Sequence, residues 1–305
     1  MALLLSLLPL MLAQVGPYAQ SGPMNAPKVP QVEGRDVPRR KATPPPLQLP
    51  PPLATGKGQA CQDLVKSDPA EAEVYARDWI AVAKGQDLAD AQYCFGVAAS
   101  QQEDWTVAEN AFLAARDAVA ADEYHQRAQL GAAAGIAADS GGARDRALAE
   151  FAAARTDALA IPDRVMAATI ALNQASPLFA LGRVTEAAAS LYEARASLPG
   201  NADAWLLSAR LARRQKKLGD AQAFIERAAI LNAHDPAIGL EAGIIAMLSG
   251  REAAARKSWQ SVLASSPQSA EAETAQDYLD QIGPGDAAPA KASVSDAPPV
   301  GPAGR

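Results

Sequence analysis

Residues able to do chemistry are scarce in this chain: 305 residues hold two histidines, His125 and His234, and two cysteines, Cys61 and Cys94. That inventory excludes a cluster of thiolate or imidazole zinc ligands, so no metal and no cofactor is expected. His125 falls in the segment EYHQR and His234 in NAHDP, and the nearest acids, Asp122, Glu123 and Asp235, read as capping or solvated groups. Neither histidine has a nucleophile to activate, and the chain is read as non-enzymatic, with no catalytic residue. The GKG at 56–58 lacks the Walker pattern and precedes no strand, so it is no phosphate loop. One charged set does have binding geometry. Arg210, Arg213, Arg214 and Lys217 are spaced by three and four residues and lie near one helical face. Guanidinium forks suit the carboxylates of a partner segment. The same cations would also suit the last carbonyls of their own helix.

The elements that must position these groups are helices. Alanine supplies 72 of the 305 residues, close to half of a 49% hydrophobic content, and it favours helix while burying little surface. Aromatics at 5% argue against a sandwich or barrel, and no strand pattern of useful length is present. Eleven of 23 prolines fall in 16–58 and five in 283–305, against six in the 224 residues of 59–282. The fold is therefore expected between two irregular ends: a linker over 14–58, extended and partly polyproline, and a disordered tail over 283–305.

Residues 2–13, ALLLSLLPLMLA, have the length of a signal-peptide core and are too short to span a bilayer, which takes about 20 apolar residues. No basic residue precedes them. Residues 1–13 are read as a signal peptide and the protein as periplasmic or secreted, the alternative being a cytoplasmic chain with an incidental apolar terminus. Export favours a Cys61–Cys94 disulfide, whereas in the cytosol both would be small buried side chains. The linker carries Lys28, Arg35, Arg39, Arg40, Lys41 and Lys57 against Glu33 and Asp36, while 59–282 hold 20 basic and 30 acidic residues. An acidic folded region is no nucleic-acid binder. The basic linker is either a solvated spacer or a weak contact to an anionic envelope surface.

Within the folded region a motif recurs. Ala108, Ala147, Ala187, Ala221 and Ala255 are spaced by 39, 40, 34 and 34 residues. Four positions after each comes a large residue: Phe112, Phe151, Leu191, Ile225 and Trp259. Three further on stand Ala115, Ala154, Ala194, Ala228 and Val262, and twelve positions before each alanine stand Gly96, Gly135, Ala175, Ala209 and Gly243. Gly142, Gly182 and Gly250 precede the second helix of their units, where Glu103 and Lys216 take the place of glycine in the other two. Small residues facing one another let two antiparallel helices approach, and the turn between them wants a residue tolerant of positive φ.

This pattern resembles the tetratricopeptide repeat. The resemblance covers 89–269 as five units, 89–122, 128–161, 168–201, 202–235 and 236–269, preceded by a helical cap over 59–88 and followed by a capping helix over 270–282. It implies an all-α, right-handed superhelical solenoid of antiparallel helix pairs that binds protein or peptide segments in its concave groove, as a scaffold or adaptor. Arg210, Arg213 and Arg214 would face that groove, with Lys217 at the adjoining turn. In the fifth unit Leu240, Ile244, Met247 and Leu248 would be covered by the terminal helix. Pro177 should kink or split the first helix of the third unit. In the cap, Asp68 and Pro69 should open a helix running to Lys84, and a disulfide would fasten the cap to the first repeat. An alternative function is an envelope or cell-wall assembly factor tethered through its basic linker.

Overall fold

The computed structural model describes residues 56–162 and 164–284. The expected signal peptide, nearly all of the linker and the tail beyond Pro284 lie outside the described residues. Among the described residues the chain forms thirteen helices and no strand. They are α1 (Gly56–Ser67), α2 (Pro69–Ile80), α3 (Gln86–Gln101), α4 (Trp105–Ala118), α5 (Tyr124–Ser140), α6 (Arg144–Leu159) and α7 (Arg164–Ala180). Then follow α8 (Val184–Ser197), α9 (Ala202–Arg214), α10 (Leu218–Leu231), α11 (Pro236–Leu248), α12 (Glu252–Ser265) and α13 (Ala270–Ile282). Each expected unit becomes one antiparallel pair, from α3/α4 to α11/α12, and neighbouring pairs stack in sequence. Odd-numbered helices touch one another directly: α1 with α3, α5 with α7, α7 with α9, α9 with α11 and α11 with α13. The even-numbered ones meet mainly through long side chains. The closer spacing of the odd helices makes their layer the inner, concave one.

A single pairing rule sets each unit. At Gly96 an added Cβ would sit 2.7 Å from the Phe112 ring and at Gly135 2.7 Å from Phe151, while at Gly243 it would collide with Nε1 of Trp259. Where the opposite residue is aliphatic, Leu191 or Ile225, the facing position is Ala175 or Ala209, and all four are buried. Glycine thus faces an aromatic and alanine faces an aliphatic, so the sum of the two volumes is roughly held and the helix separation stays uniform. The apolar core divides into five clusters along the array, as expected when each repeat packs only on its neighbours.

The turns inside the five units share one geometry. Glu103, Gly142, Gly182, Lys216 and Gly250 have φ of 62°, 81°, 71°, 60° and 72°. After each, an amide donates back five residues: Asp104 to Ala99, Ala143 to Ala138, Arg183 to Leu178, Lys217 to Ala212 and Arg251 to Ala246, at 2.8–3.0 Å. This is the bonding of a Schellman motif, and two non-glycine residues are held in its left-handed position. At helix starts, side-chain caps from Asp68, Asp104, Asn201, Asp235 and Ser269 satisfy free amides.

Four local expectations change. The first helix begins at Gly56, inside the span assigned to the linker, because Lys57 is tied to the fold: its Nζ lies 3.4 Å from Asp87 and its carbonyl accepts from the Tyr75 hydroxyl at 3.3 Å. Helix α2 stops at Ile80 and not at Lys84, and Gly85, with φ of 55°, opens α3 instead of closing α2. Helix α3 accordingly starts at Gln86, three residues inside the expected cap. Pro177 does not split α7, which runs unbroken to Ala180. It sits in the last turn, where few helix bonds remain to be lost, and its carbonyl still accepts from Leu181 at 3.0 Å. The Cys61–Cys94 disulfide joins α1 to α3, with Cα atoms 6.1 Å apart, as expected of the cap. The closed loop spans 33 residues and contributes roughly 3–4 kcal/mol in the chain-entropy picture.

Two stability measurements test the pairing and the turn. Gly243→Ala drives a methyl into Trp259 and is expected to lower unfolding stability by about 1–3 kcal/mol in urea denaturation; an unchanged midpoint would show that the pair has slack. Lys216→Gly relieves a left-handed backbone and should raise stability by about 1 kcal/mol, whereas a loss would mean that the lysine side chain outweighs the strain.

Candidate partner-binding groove

The inner layer is built from one face of each odd helix, so helical periodicity decides which side chains reach it. At the amino-terminal end Asp90, Tyr93 and Cys94 of α3 are buried, and the disulfide holds α1 beside them. At the other end Leu240, Ile244 and Met247 of α11 are buried in one cluster with Ala272, Ala275 and Tyr278 of α13. The fifth unit is therefore covered as expected. Between the covered ends, α5, α7 and α9 keep half-buried or exposed side chains on the inner layer: Ile136 and Asp139, Asn173 and Ser176, and Leu207 and Arg210.

The cluster Arg210, Arg213, Arg214 and Lys217 does form on α9 and its turn, but its members do different things. Arg213 grips Glu241 of α11 through two bonds, Nε to Oε1 at 2.5 Å and a terminal nitrogen to Oε2 at 3.3 Å. Glu241 is 1% exposed, so this is a buried charge neutralised by its neighbouring unit. Arg214 lies over the Phe179 ring of α7, 4.0 Å from its centroid. Arg210 approaches Glu241 only to 3.7 Å, its buried Nε makes no hydrogen bond, and its side chain is 27% exposed. Lys217 is exposed, with its backbone fixed in the turn. None of the three arginines serves as a cap for its own helix's carbonyls. Two of them join α9 to α11 and α7, which sequence spacing alone does not reveal because the partners lie one repeat away.

The outer layer is bridged by the same chemistry. Arg146 of α6 makes a two-pronged pair with Glu109 of α4 at 2.9 and 3.0 Å, and Arg116 of α4 reaches Asp157 of α6 at 2.7 Å. Arg155 of α6 holds Glu193 of α8 at 2.6 Å. Arg195 of α8 lies 4.4 Å over Phe224 of α10 and donates to Ser208 of α9, and Arg251 donates to Gln222 of α10. Burial pulls the Arg195 guanidinium below its usual pKa.

Two carboxyls are displaced upward. Burial raises Asp90, partly offset by the Gln86 amide and reinforced by Asp87. Burial raises Glu150 too, with the charges of Glu109 and Asp117 adding and that of Arg116 opposing. Burial also pushes the Tyr93 phenol far above its ordinary range. His125, in the first turn of α5, and His234, in the connection to α11, are both exposed and lie in different units. Among the described residues no group of three or more His, Cys, Asp or Glu is arranged to hold a metal ion. No helix there is long and apolar enough to cross a membrane.

Comparison with known proteins agrees with this architecture. A tetratricopeptide-repeat family model matches residues 178–244. No curated protein sequence matches the chain. Among solved structures, PilW, described as a widely conserved type IV pilus biogenesis factor, shares the fold with a TM-score of 0.59 at 19% identity, over 72% of this chain and 96% of that one. PilF of Pseudomonas aeruginosa gives 0.55 at 14% identity over 74% and 100%. BtubC from P. vanneervenii gives 0.52 at 16% over 78% and 99%. These likenesses establish the fold alone. The family model lies on the third to fifth units, and the same helix pair, turn and small–large contact run from α3 to α12, so the array has the fold of a tetratricopeptide-repeat solenoid.

Proposed function

We propose that this protein is a non-catalytic scaffold, exported to the periplasm or beyond, that holds an extended segment of another protein along the inner face of α5, α7 and α9. The observation that carries the reading is the contrast along the inner layer. Its two ends are closed by α1 and α13, while the middle keeps Asn173 with no side-chain hydrogen bond among the described residues and Arg210 with a guanidinium that Glu241 does not satisfy. An amide that both donates and accepts suits a peptide backbone, and a partly exposed guanidinium suits a carboxylate. Half-buried Ile136 of α5 and Leu207 of α9 would add apolar contact along the same layer. Export is supported by the apolar residues 2–13 and by a disulfide that suits an oxidising compartment.

The basic stretch of residues 28–41 favours a second reading, an assembly factor tethered to an anionic envelope surface. Deletion of residues 16–55 that leaves envelope association unchanged removes that reading.

The groove is tested by selecting a random-sequence peptide library on the immobilised protein. Acidic peptides should be enriched, and Arg210→Glu should weaken their binding at least tenfold in titration calorimetry, consistent with loss of a charged hydrogen bond of about 1.5–3 kcal/mol. Enrichment of no peptide, or equal binding by the variant, would sink the proposal. Arg213→Ala serves as the contrast: it strands the buried Glu241 and should cost about 3–5 kcal/mol of stability, with recovery when Glu241→Gln is added, and it reports on the array and not on the groove.

A further inference from the structure

The outer side of α2 is a helix face on which nothing packs among the described residues. Each later outer helix follows another in the outer row, but α2 begins that row, and only α1 and α3 pack on it. Its uncovered face presents Glu71, Val74 and Asp78 at helical spacing, continued by Val82 in the following turn. Val74 is 56% and Val82 74% exposed, among the most exposed large apolar side chains described. Neither Glu71 nor Asp78 meets a cation among the described residues. The face sits at the negative end of the molecule: residues 56–123 carry 13 acidic and 5 basic side chains, while 124–284 carry 17 and 16.

The chain itself supplies an occupant with the opposite charge. Residues 28–41 contain Lys28, Arg35, Arg39, Arg40 and Lys41 against Glu33 and Asp36, and the densest part, Val37-Pro38-Arg39-Arg40-Lys41, also offers two apolar side chains. The polypeptide enters the fold beside α2. Lys57 lies over the Trp79 ring, 5.4 Å from its centroid, and its carbonyl accepts from Tyr75 at 3.3 Å, both on α2. Lys41 precedes Gly56 by fifteen residues, enough to reach about 50 Å when extended. The twelve residues of α2 span only about 18 Å, so the tether covers the whole face. Tethering also raises the local concentration of the segment to roughly millimolar, which lets weak contacts fill the site.

We propose that residues 37–41 dock on the outer face of α2 of the same chain, Arg39, Arg40 and Lys41 pairing with Glu71 and Asp78 while Val37 and Pro38 cover Val74 and Val82. Exposed ion pairs are individually weak and screened by salt, so the contact is reversible and strongest at low ionic strength. It covers the uncovered face of the first outer helix with the chain's own residues.

The test uses the full chain and limited trypsin digestion, followed by mass spectrometry, with cleavage after Lys28 as the internal reference. At low salt, cleavage after Arg39, Arg40 and Lys41 should be about fivefold slower than after Lys28, reflecting the docked fraction. The protection should vanish in 0.5 M salt, about a 4 Å screening length, and in the Glu71→Gln/Asp78→Asn variant. Both substituted residues are exposed, and an unchanged helical circular-dichroism spectrum confirms that the variant is folded. Equal cleavage at all sites at low salt, or protection that persists in the variant, overturns the proposal. Carbodiimide crosslinking of mixed light and heavy protein separates the other occupants. Lys41–Asp78 links within one isotope support docking in cis, and mixed-isotope links would overturn it and assign the face to a second copy. Protection that appears only on adding phosphatidylglycerol vesicles would overturn it too and assign the basic segment to a lipid surface.

Discussion

The array depends on how closely the two helices of each unit can approach. That distance is set where a small residue on the inner helix meets a large one on the outer: Gly96 under Phe112, Gly135 under Phe151 and Gly243 under Trp259, with Ala175 and Ala209 under Leu191 and Ile225. Because the larger ring is always matched by the smaller partner, units of different composition keep a similar thickness and can stack. The interior large residues, including Phe151, Leu191, Ile225 and Trp259, are essentially removed from water at no more than 2% exposure, so the contact is the core and not an ornament on it. A chain with so few aromatics can still build a stable fold because it places one large side chain at the centre of each unit and lets alanine do the rest.

Between units the connection is made by arginine. Among the described residues, guanidinium groups link α4 to α6, α6 to α8, α8 to α10 and α9 to α11. Among those residues, too, the lysine ion pair joining separate elements is at the amino-terminal cap, where Lys57 meets Asp87. The choice has a geometric reason. A planar fork can grip a carboxylate through two bonds, as Arg146 does with Glu109 and Arg213 with Glu241, or lie flat on a ring, as Arg195 does on Phe224. Each such contact fixes an angle between neighbouring pairs, which an ammonium point charge would not. Charge in this protein thus serves in part to join neighbouring units. Residues on the groove are not automatically available to a partner, since Arg213 and Arg214 face inward but are engaged by Glu241 and Phe179.

The repeat, its register and the turn positions were legible in the sequence because each rests on short-range spacing: Ala108, Ala147, Ala187, Ala221 and Ala255 mark the same place in five helix pairs. Glu103 and Lys216, which look like departures from the glycine rule, adopt the same left-handed geometry as Gly142, Gly182 and Gly250. The turn is imposed by packing on both sides, and the residue yields. What was not legible involves contacts at long sequence distance. Arg213 and Glu241 are 28 residues apart and Arg116 and Asp157 are 41 apart, and nothing in either local segment announces the other. Pro177 misled for the complementary reason. Its residue type predicts a break, but its position in the last turn of α7 removes most of the cost.

The same distinction decides what remains of the groove as a binding surface. A repeat array would offer a uniform inner face if every unit were alike, but here the ends are modified in different ways. At one end a disulfide ties α1 to α3; at the other α13 buries Tyr278 against Trp259, with ring centroids 5.1 Å apart. Both devices cover an apolar edge, which a solenoid must do to stay in solution as a discrete particle. On the proposed reading, recognition then narrows to three inner helices, and within these to side chains that the array does not itself use. Asn173 and Arg210 stand out on that criterion, not because asparagine or arginine is a special residue type, but because their neighbours Ser176 and Arg213 already bond to Asp139 and Glu241. In a protein held together by polar bridges between repeats, the surface left for the proposed partner is the remainder after those bridges are drawn.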